Sequence, residues 1–213
     1  VEAMGRAMLG TPLISSALAA QLLLRAGNSE QAERLLPALA AGAPATLALL
    51  ENGDWGSETV ALELDQDGVL HGAKKYGPDA TVATVFVVCV KHRGETALAV
   101  VHAEQLGAGA LQPNTLIDQT KRSANVDFSG VRVDASNIIT GAQVTVALRD
   151  VRLLGALLVA AEATGSAAAC LATIVDYLKT RKQFGKLIGS YQALKHPTVD
   201  ILTATDSARS FIY

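Results

Sequence analysis

The chain has 213 residues, of which half are hydrophobic and 18% are charged. A disordered segment is excluded, because disordered chains are polar and highly charged; the length supports one large domain or two small ones with a buried core. With 18 basic against 20 acidic residues, a net charge of −2 and 4% aromatics, the sequence also lacks the cationic, base-stacking character of a nucleic-acid surface.

Residues 1–45 are rich in Ala and Leu and read as helical. Apolar residues recur at helical spacing through Leu13, Ile14, Leu18, Leu22 and Leu23, and Gly27 is placed to stop that helix as a C′ residue. Asn28 with Gln31 forms a capping-box pattern that starts the next helix, and Gly42 with Pro44 ends it. Residues 46–149 change texture and predict a middle β domain. Strands are expected at Thr46–Leu50, Thr59–Leu64, Val69–His71, Val82–Val90, Thr96–His102, Ser123–Phe128, Val131–Val133 and Val144–Leu148. Asp65-Gln66-Asp67-Gly68 reads as a hairpin turn, with Gly68 supplying a positive φ. Many short strands without intervening helices predict an antiparallel barrel or sandwich. Residues 150–213 return to helix: Asp150 is a plausible N-cap, the first helix runs to about Thr180, Gly185–Gly189 breaks it, and a second begins near Tyr191.

The most apolar window, Leu153–Val175, contains Glu162 and many small residues, so a buried helix of a soluble bundle is expected rather than a membrane span. Cys89 and Cys170 are too few for a disulfide framework and read as buried thiols in a reducing cytoplasm. The chain begins Val1-Glu2-Ala3-Met4, with neither an initiator methionine nor a targeting pattern, and is expected to start inside a longer gene product. His71, His92 and His102 have no Cys or carboxylate at ligand spacing, so no metal site is predicted. No Gly-x-Gly-x-x-Gly or Gly-x-Ser-x-Gly pattern occurs.

The chemistry concentrates in Thr180-Arg181-Lys182-Gln183-Phe184-Gly185. Arg181 offers a planar fork suited to a phosphate or carboxylate, Gln183 an amide, and Phe184 a flat apolar face. Together these suit a nucleotide diphosphate with its adenosine. The same residues also suit a helix terminus whose cations complement its dipole.

Tyr177, Arg181, Gln183-Phe184-Gly185, Ile188, Gln192, Lys195-His196 and Asp200 resemble, in residue type and spacing, the C-terminal pattern of acyl-CoA dehydrogenases. Other segments resemble that family in the same order along the chain: Glu2 with Gly5-Arg6; Leu36-Pro37 and Gly42; Glu51, Gly53, Gly56 and Ser57; Gly72, Lys74, Tyr76, Pro78, Asp79 and Ala80; and Phe128, Val131, Val133 and Ile138. The Pro-Asp-Ala run resembles actinobacterial members, some of which work as heteromeric pairs. The resemblance implies an α+β fold of helical N-terminal part, middle β-barrel domain and start of a C-terminal helical bundle. It implies FAD as cofactor, an acyl-CoA substrate desaturated between its α and β carbons with hydride passing to FAD, a role in lipid metabolism such as fatty-acid β-oxidation, and a homo- or hetero-oligomer, dimer or tetramer. By the same match Arg181 would bind the FAD diphosphate of a neighbouring subunit, with Gln183, Phe184 and Gln192 around the nucleotide half. Ser57 would contact the flavin end. Tyr76 stands where an aromatic packs on the flavin ring, and also reads as an ordinary strand-end aromatic.

The sequence departs from the family at the flavin end and at the base. Leu50 replaces a Thr whose hydroxyl would bond the flavin ring, Asn52 replaces a Pro, and Pro78 has no N–H to offer. Counting back from Arg181, one family position for the catalytic carboxylate falls at about Gly155, beside Ala156, and no acid lies between Asp150 and Glu162. No catalytic residue is therefore assigned. An alternative is a non-catalytic partner subunit that completes another subunit's FAD site.

Overall fold

A computed structural model describes residues 1–53 and 59–213. Two compact units form, one from residues 11–154 and one from residues 1–10 with 155–213.

The 11–154 unit opens with helices α2 (Leu13–Ala26) and α3 (Ser29–Ala40), after the short α1 (Glu2–Arg6) of the other unit. Gly27 does end α2, but with extended backbone (φ −77°, ψ 162°) rather than the left-handed conformation of a C′ glycine. What excludes a side chain there is space: a Cβ would lie 2.7 Å from the Leu23 carbonyl oxygen. The capping box forms as expected, with Gln31 N donating to Asn28 Oδ1 (2.8 Å) and Asn28 N donating to Gln31 Oε1 (3.2 Å). Such a cap contributes about 1 kcal/mol.

Nine short strands follow among the described residues: β1 (Ala45–Ala48), β2 (Glu63–Leu64), β3 (Leu70–His71), β4 (Ala73–Pro78), β5 (Val85–His92), β6 (Glu95–His102), β7 (Leu111–Pro113), β8 (Ser123–Asp127) and β9 (Ile138–Ile139). The expected turn at Asp65–Gly68 joins β2 to β3, with Gly68 at φ 77° and Asp65 Oδ1 accepting from the Asp67 and Val69 amides. Strands β5 and β6 pair over eight residues, from Val85↔His102 to His92↔Glu95. Arg93 (φ 52°) and Gly94 (φ 84°) make the tight turn whose twist suits such a hairpin.

The barrel expectation requires correction. The strands form a six-stranded sheet, ordered β3-β2-β5-β6-β9 with β1 also on β5, and a three-stranded sheet β4-β8-β7; no barrel closes among the described residues. Nor is the pairing wholly antiparallel, because β1 and β2 both run parallel to β5. The chain between each of them and β5 is long enough for the crossover that parallel pairing demands.

The hairpin β5–β6 is buried on both faces. Val85, Val87, Cys89, Leu98 and Val100 pack with Leu22, Leu23, Leu35 and Val151 from the helices. Phe86, Val88, Val90, Ala99 and Val101 pack with Val126 and Phe128 beside the smaller sheet. The Phe86 and Phe128 rings meet edge to face, 5.9 Å between centroids.

Val144–Leu148, expected as a strand, is helical: α4 runs Gln143–Thr180 and so begins before Asp150. Val144, Ala147, Leu148 and Val151 are the buried residues of its start, spaced to face one side of a helix. Among the described residues α4 is the one helix long and apolar enough to cross a membrane by length and composition. It is not the buried helix expected, since Leu153, Leu157, Val159 and Ile174 are exposed. Of the two thiols expected to be buried, Cys89 is, and burial pushes its pKa up; Cys170, on α4, is exposed.

The second unit combines α1, the remainder of α4, a hairpin of β10 (Lys182–Gln183) and β11 (Lys186–Leu187), and α5 (Gln192–Ile212). Helices α1 and α4 touch through glycines. A Cβ on Gly5 would stand 1.9 Å from the Glu162 carbonyl oxygen, and one on Gly165 would stand 1.9 Å from that of Glu2. Glu2 is also tied to α5: Arg209 donates from Nε (3.0 Å) and Nη2 (2.7 Å), and the Tyr213 hydroxyl donates at 3.1 Å. The Arg209 hydrogen bonds lead the effects that hold the Glu2 carboxyl below its usual range.

Gly165→Ala should therefore destabilise the chain by about 2 kcal/mol or more, because overpacking against backbone outweighs the roughly 1 kcal/mol that alanine gains in helix propensity. The denaturant midpoint measures this; a more stable Gly165→Ala protein would refute the close approach.

Candidate functional site

Four of the predicted cofactor-binding residues sit on one connection of the second unit. Helix α4 ends at Thr180; Arg181 N donates to the Tyr177 carbonyl, and the Arg181 carbonyl accepts from Ile188 N, each at 2.9 Å. This folds residues 182–187 into an exposed hairpin, with Lys182 opposite Leu187 and Gln183 opposite Lys186. Its two turn residues, Phe184 (φ 53°) and Gly185 (φ 75°), are both left-handed. For a glycine that costs little; for Phe184 it costs about 1 kcal/mol. The Phe184 ring is 85% exposed, so no packing within the described chain repays that strain. The Arg181 guanidinium forms no ion pair among the described residues, and Lys182 and Lys186 add positive charge beside it. Tyr191 closes the connection by donating its hydroxyl to the Gln183 carbonyl (3.2 Å), and Gln192 begins α5, exposed. An unpaired fork, an amide and an open aromatic face fit the two ends of an adenosine diphosphate.

Tyr76 belongs to the other unit, on β4, and Ser57 lies outside the described residues. Tyr76 is left-handed as well (φ 54°). In the pairing with β8, Lys74 faces Val126 and Gly77 faces Ala124, so Lys75 and Tyr76 together oppose Asn125 in a β-bulge. Tyr76 N donates to Asn125 Oδ1 (3.2 Å), and Lys75 N donates to the Leu50 carbonyl (2.7 Å). The missing donor at Pro78 stands in the structure too: its carbonyl accepts from the Thr46 hydroxyl at 2.5 Å.

A polar cluster that the pattern of residues left unread lies next to the bulge. Lys74 is fully buried, and its Nζ donates to Glu51 Oε1 (2.5 Å) and the Leu49 carbonyl (3.3 Å). Glu51 also accepts from Ala61 N (2.7 Å) and Leu62 N (2.9 Å). Burial pushes the Glu51 carboxyl up, but the Lys74 ammonium and the two amides outweigh it and hold the group below its ordinary 4.5. Strand alternation puts Lys74 on the inward face of β4; that was the available signal. Asn125 carried no comparable mark.

Residues 148–213 match the family model described as the acyl-CoA dehydrogenase C-terminal domain. The acyl-CoA dehydrogenase IpdE2 of Mycolicibacterium smegmatis is 30% identical over all of this chain and 54% of its own length. The chain is similar to acyl-CoA dehydrogenases along its whole length, and residues 148–213 match that family's C-terminal domain. It spans about half the length of the curated relatives it matches. Among solved structures, the G363A variant of the Tcur3481-Tcur3483 steroid ACAD is 27% identical, with a TM-score of 0.80 over 99% of this chain and 57% of the other. The FAD complex of PigA shares the fold at 23% identity, with a TM-score of 0.81 over 94% of this chain and 56% of the other. The match to the C-terminal domain takes in Arg181, Gln183, Phe184 and Gln192.

Two outcomes follow from this geometry. Phe184→Gly removes an exposed ring from a left-handed position, so stability in urea should stay within about 1 kcal/mol of the parent; a larger loss would mean the ring packs within the chain. Glu51→Gln should destabilise by about 3 kcal/mol at pH 7, since it leaves a buried ammonium without its counter-charge. Because the folded carboxyl titrates below 4.5, its stabilisation is present above that pH and lost as pH falls through the lower folded value. The gap between parent and variant should narrow below pH 4.5 in urea titrations, and a constant gap would contradict the assignment.

Proposed function

We propose that this chain is part of an FAD flavoprotein that desaturates an acyl-CoA thioester, and that the 181–187 hairpin grips the nucleotide half of FAD. The exposed Arg181 fork beside the left-handed Phe184 carries this reading. Arg181 neutralises the diphosphate with paired N–H donors, Gln183 and Gln192 offer amides, and Phe184 lies open to the adenine face. Ser57 and Tyr76 serve the flavin end. FAD, when bound, supplies the acceptor for the β-hydride of the thioester. The hairpin's exposure suits a cofactor shared with a neighbouring subunit, so the working protein is a homo- or hetero-oligomer. The composition and family fit a cytoplasmic enzyme of lipid metabolism.

A second reading is a non-catalytic subunit that lends Arg181 to the FAD site of a partner. Leu50 and Pro78 favour it, since both remove a donor at the flavin end while leaving the hairpin intact.

A visible spectrum of the purified protein, before and after adding FAD, tests both. Oxidised-flavin bands that Arg181→Ala weakens by about 2 kcal/mol, roughly thirtyfold in Kd, support the FAD site. Flavin retained only with a partner subunit supports the second reading. Flavin content unchanged by Arg181→Ala refutes both and leaves a scaffold that keeps only the fold.

A further inference from the structure

Lys74 is the one charged residue fully buried among those described, and neither the family chemistry nor the hairpin uses it. Burying an ammonium and a carboxylate is a poor route to stability, because packed apolar side chains of similar volume commonly do as well or better. What such a pair does supply is a fixed geometry. Lys74 is the last residue of β4 in register before the bulge. Its ammonium reaches across to Leu49 and Glu51, on either side of Leu50, whose carbonyl receives the first bulge amide, that of Lys75. Glu51 extends the same line to Ala61 and Leu62, and the Leu62 carbonyl accepts from Lys91 N on β5 (2.8 Å). An unbroken run of bonds thus leads from the central sheet to the bulge.

We infer that Lys74 and Glu51 are positioning residues: their buried pair locks the crossing of residues 49–51 with β4 and so holds Tyr76 in its left-handed conformation at the flavin end of the site. The last clause rests on the proposed FAD reading; the lock itself does not. Asn125 anchors the bulge from the opposite strand. Neither Lys74 nor Glu51 needs to touch the cofactor.

The test compares Lys74→Met with Arg181→Ala in the full protein, including any partner subunit it requires. Lys74→Met removes the ammonium while keeping much of the side-chain volume, and Glu51 keeps its two amide donors. Amide hydrogen exchange should show Lys75, Tyr76, Ala61 and Leu62 losing protection at least tenfold while β5 and β6 amides keep theirs. With FAD bound, Lys74→Met should alter the shape of the flavin visible band, whereas Arg181→Ala weakens binding without altering that shape. Local loosening with an altered band supports the inference. Uniform loss of protection, or no change at Lys75 and Tyr76, overturns the lock, and Lys74→Arg serves as the second variant if Lys74→Met does not fold. Local loosening in a protein that binds no FAD keeps the lock and overturns only its role at a flavin.

Discussion

The β5–β6 hairpin is the constraint on which the 11–154 unit depends. Its eight residue pairs, apart from the two next to the turn, bury side chains on both faces, so one strand pair organises two cores at once. Helices α2 and α3 with the start of α4 fill one side, and β8 with Phe128 fills the other. A strand pair sealed on both faces has no polar face to give to water, so its sequence is a nearly continuous apolar run. β1 and β2 then have one place to add, one after the other along the free edge of β5. That placement fixes where residues 49–51 meet β4.

Two of the five non-glycine residues with left-handed backbone among those described are aromatic, one in each unit. Tyr76 and Phe184 both adopt a backbone conformation that glycine accepts at little cost and an aromatic does not. In the first, a bulge and an inward-facing Lys74–Glu51 pair maintain it. In the second, a two-residue turn between very short strands does so. The Phe184 ring gains no burial that would offset the cost, being 85% exposed. At an open position such as Phe184, a conformation maintained against preference is where a ligand, rather than the core, is expected to supply the compensating contact.

The order of helices, strands and helices was legible because each change of texture is local. The Asn28–Gln31 box and the Asp65–Gly68 turn were legible for the same reason, since partners a few residues apart carry the whole signal. Val144–Leu148 misled because two valines one residue apart read as a strand. The longer spacing through Val144, Ala147, Leu148 and Val151 is helical, and burial of that stripe decided the outcome. The barrel misled because sheet order is set by pairings across tens of residues, and no local pattern tells a parallel neighbour from an antiparallel one. At the candidate site the residue types of the hairpin were readable. The ion pair was not, because Glu51 and Lys74 lie on different segments and meet only once β1 and β4 cross.

The two cysteines have a practical meaning beyond packing. Cys89 is enclosed by the central sheet with its thiol pushed toward the neutral, unreactive form, while Cys170 stands in the open on α4. Within this chain a maleimide fluorophore therefore enters at Cys170 without Cys89 being removed. The label sits eleven residues before Arg181 on the helix that leads into the hairpin, so the molecule arrives already equipped with its own reporter of events at that end.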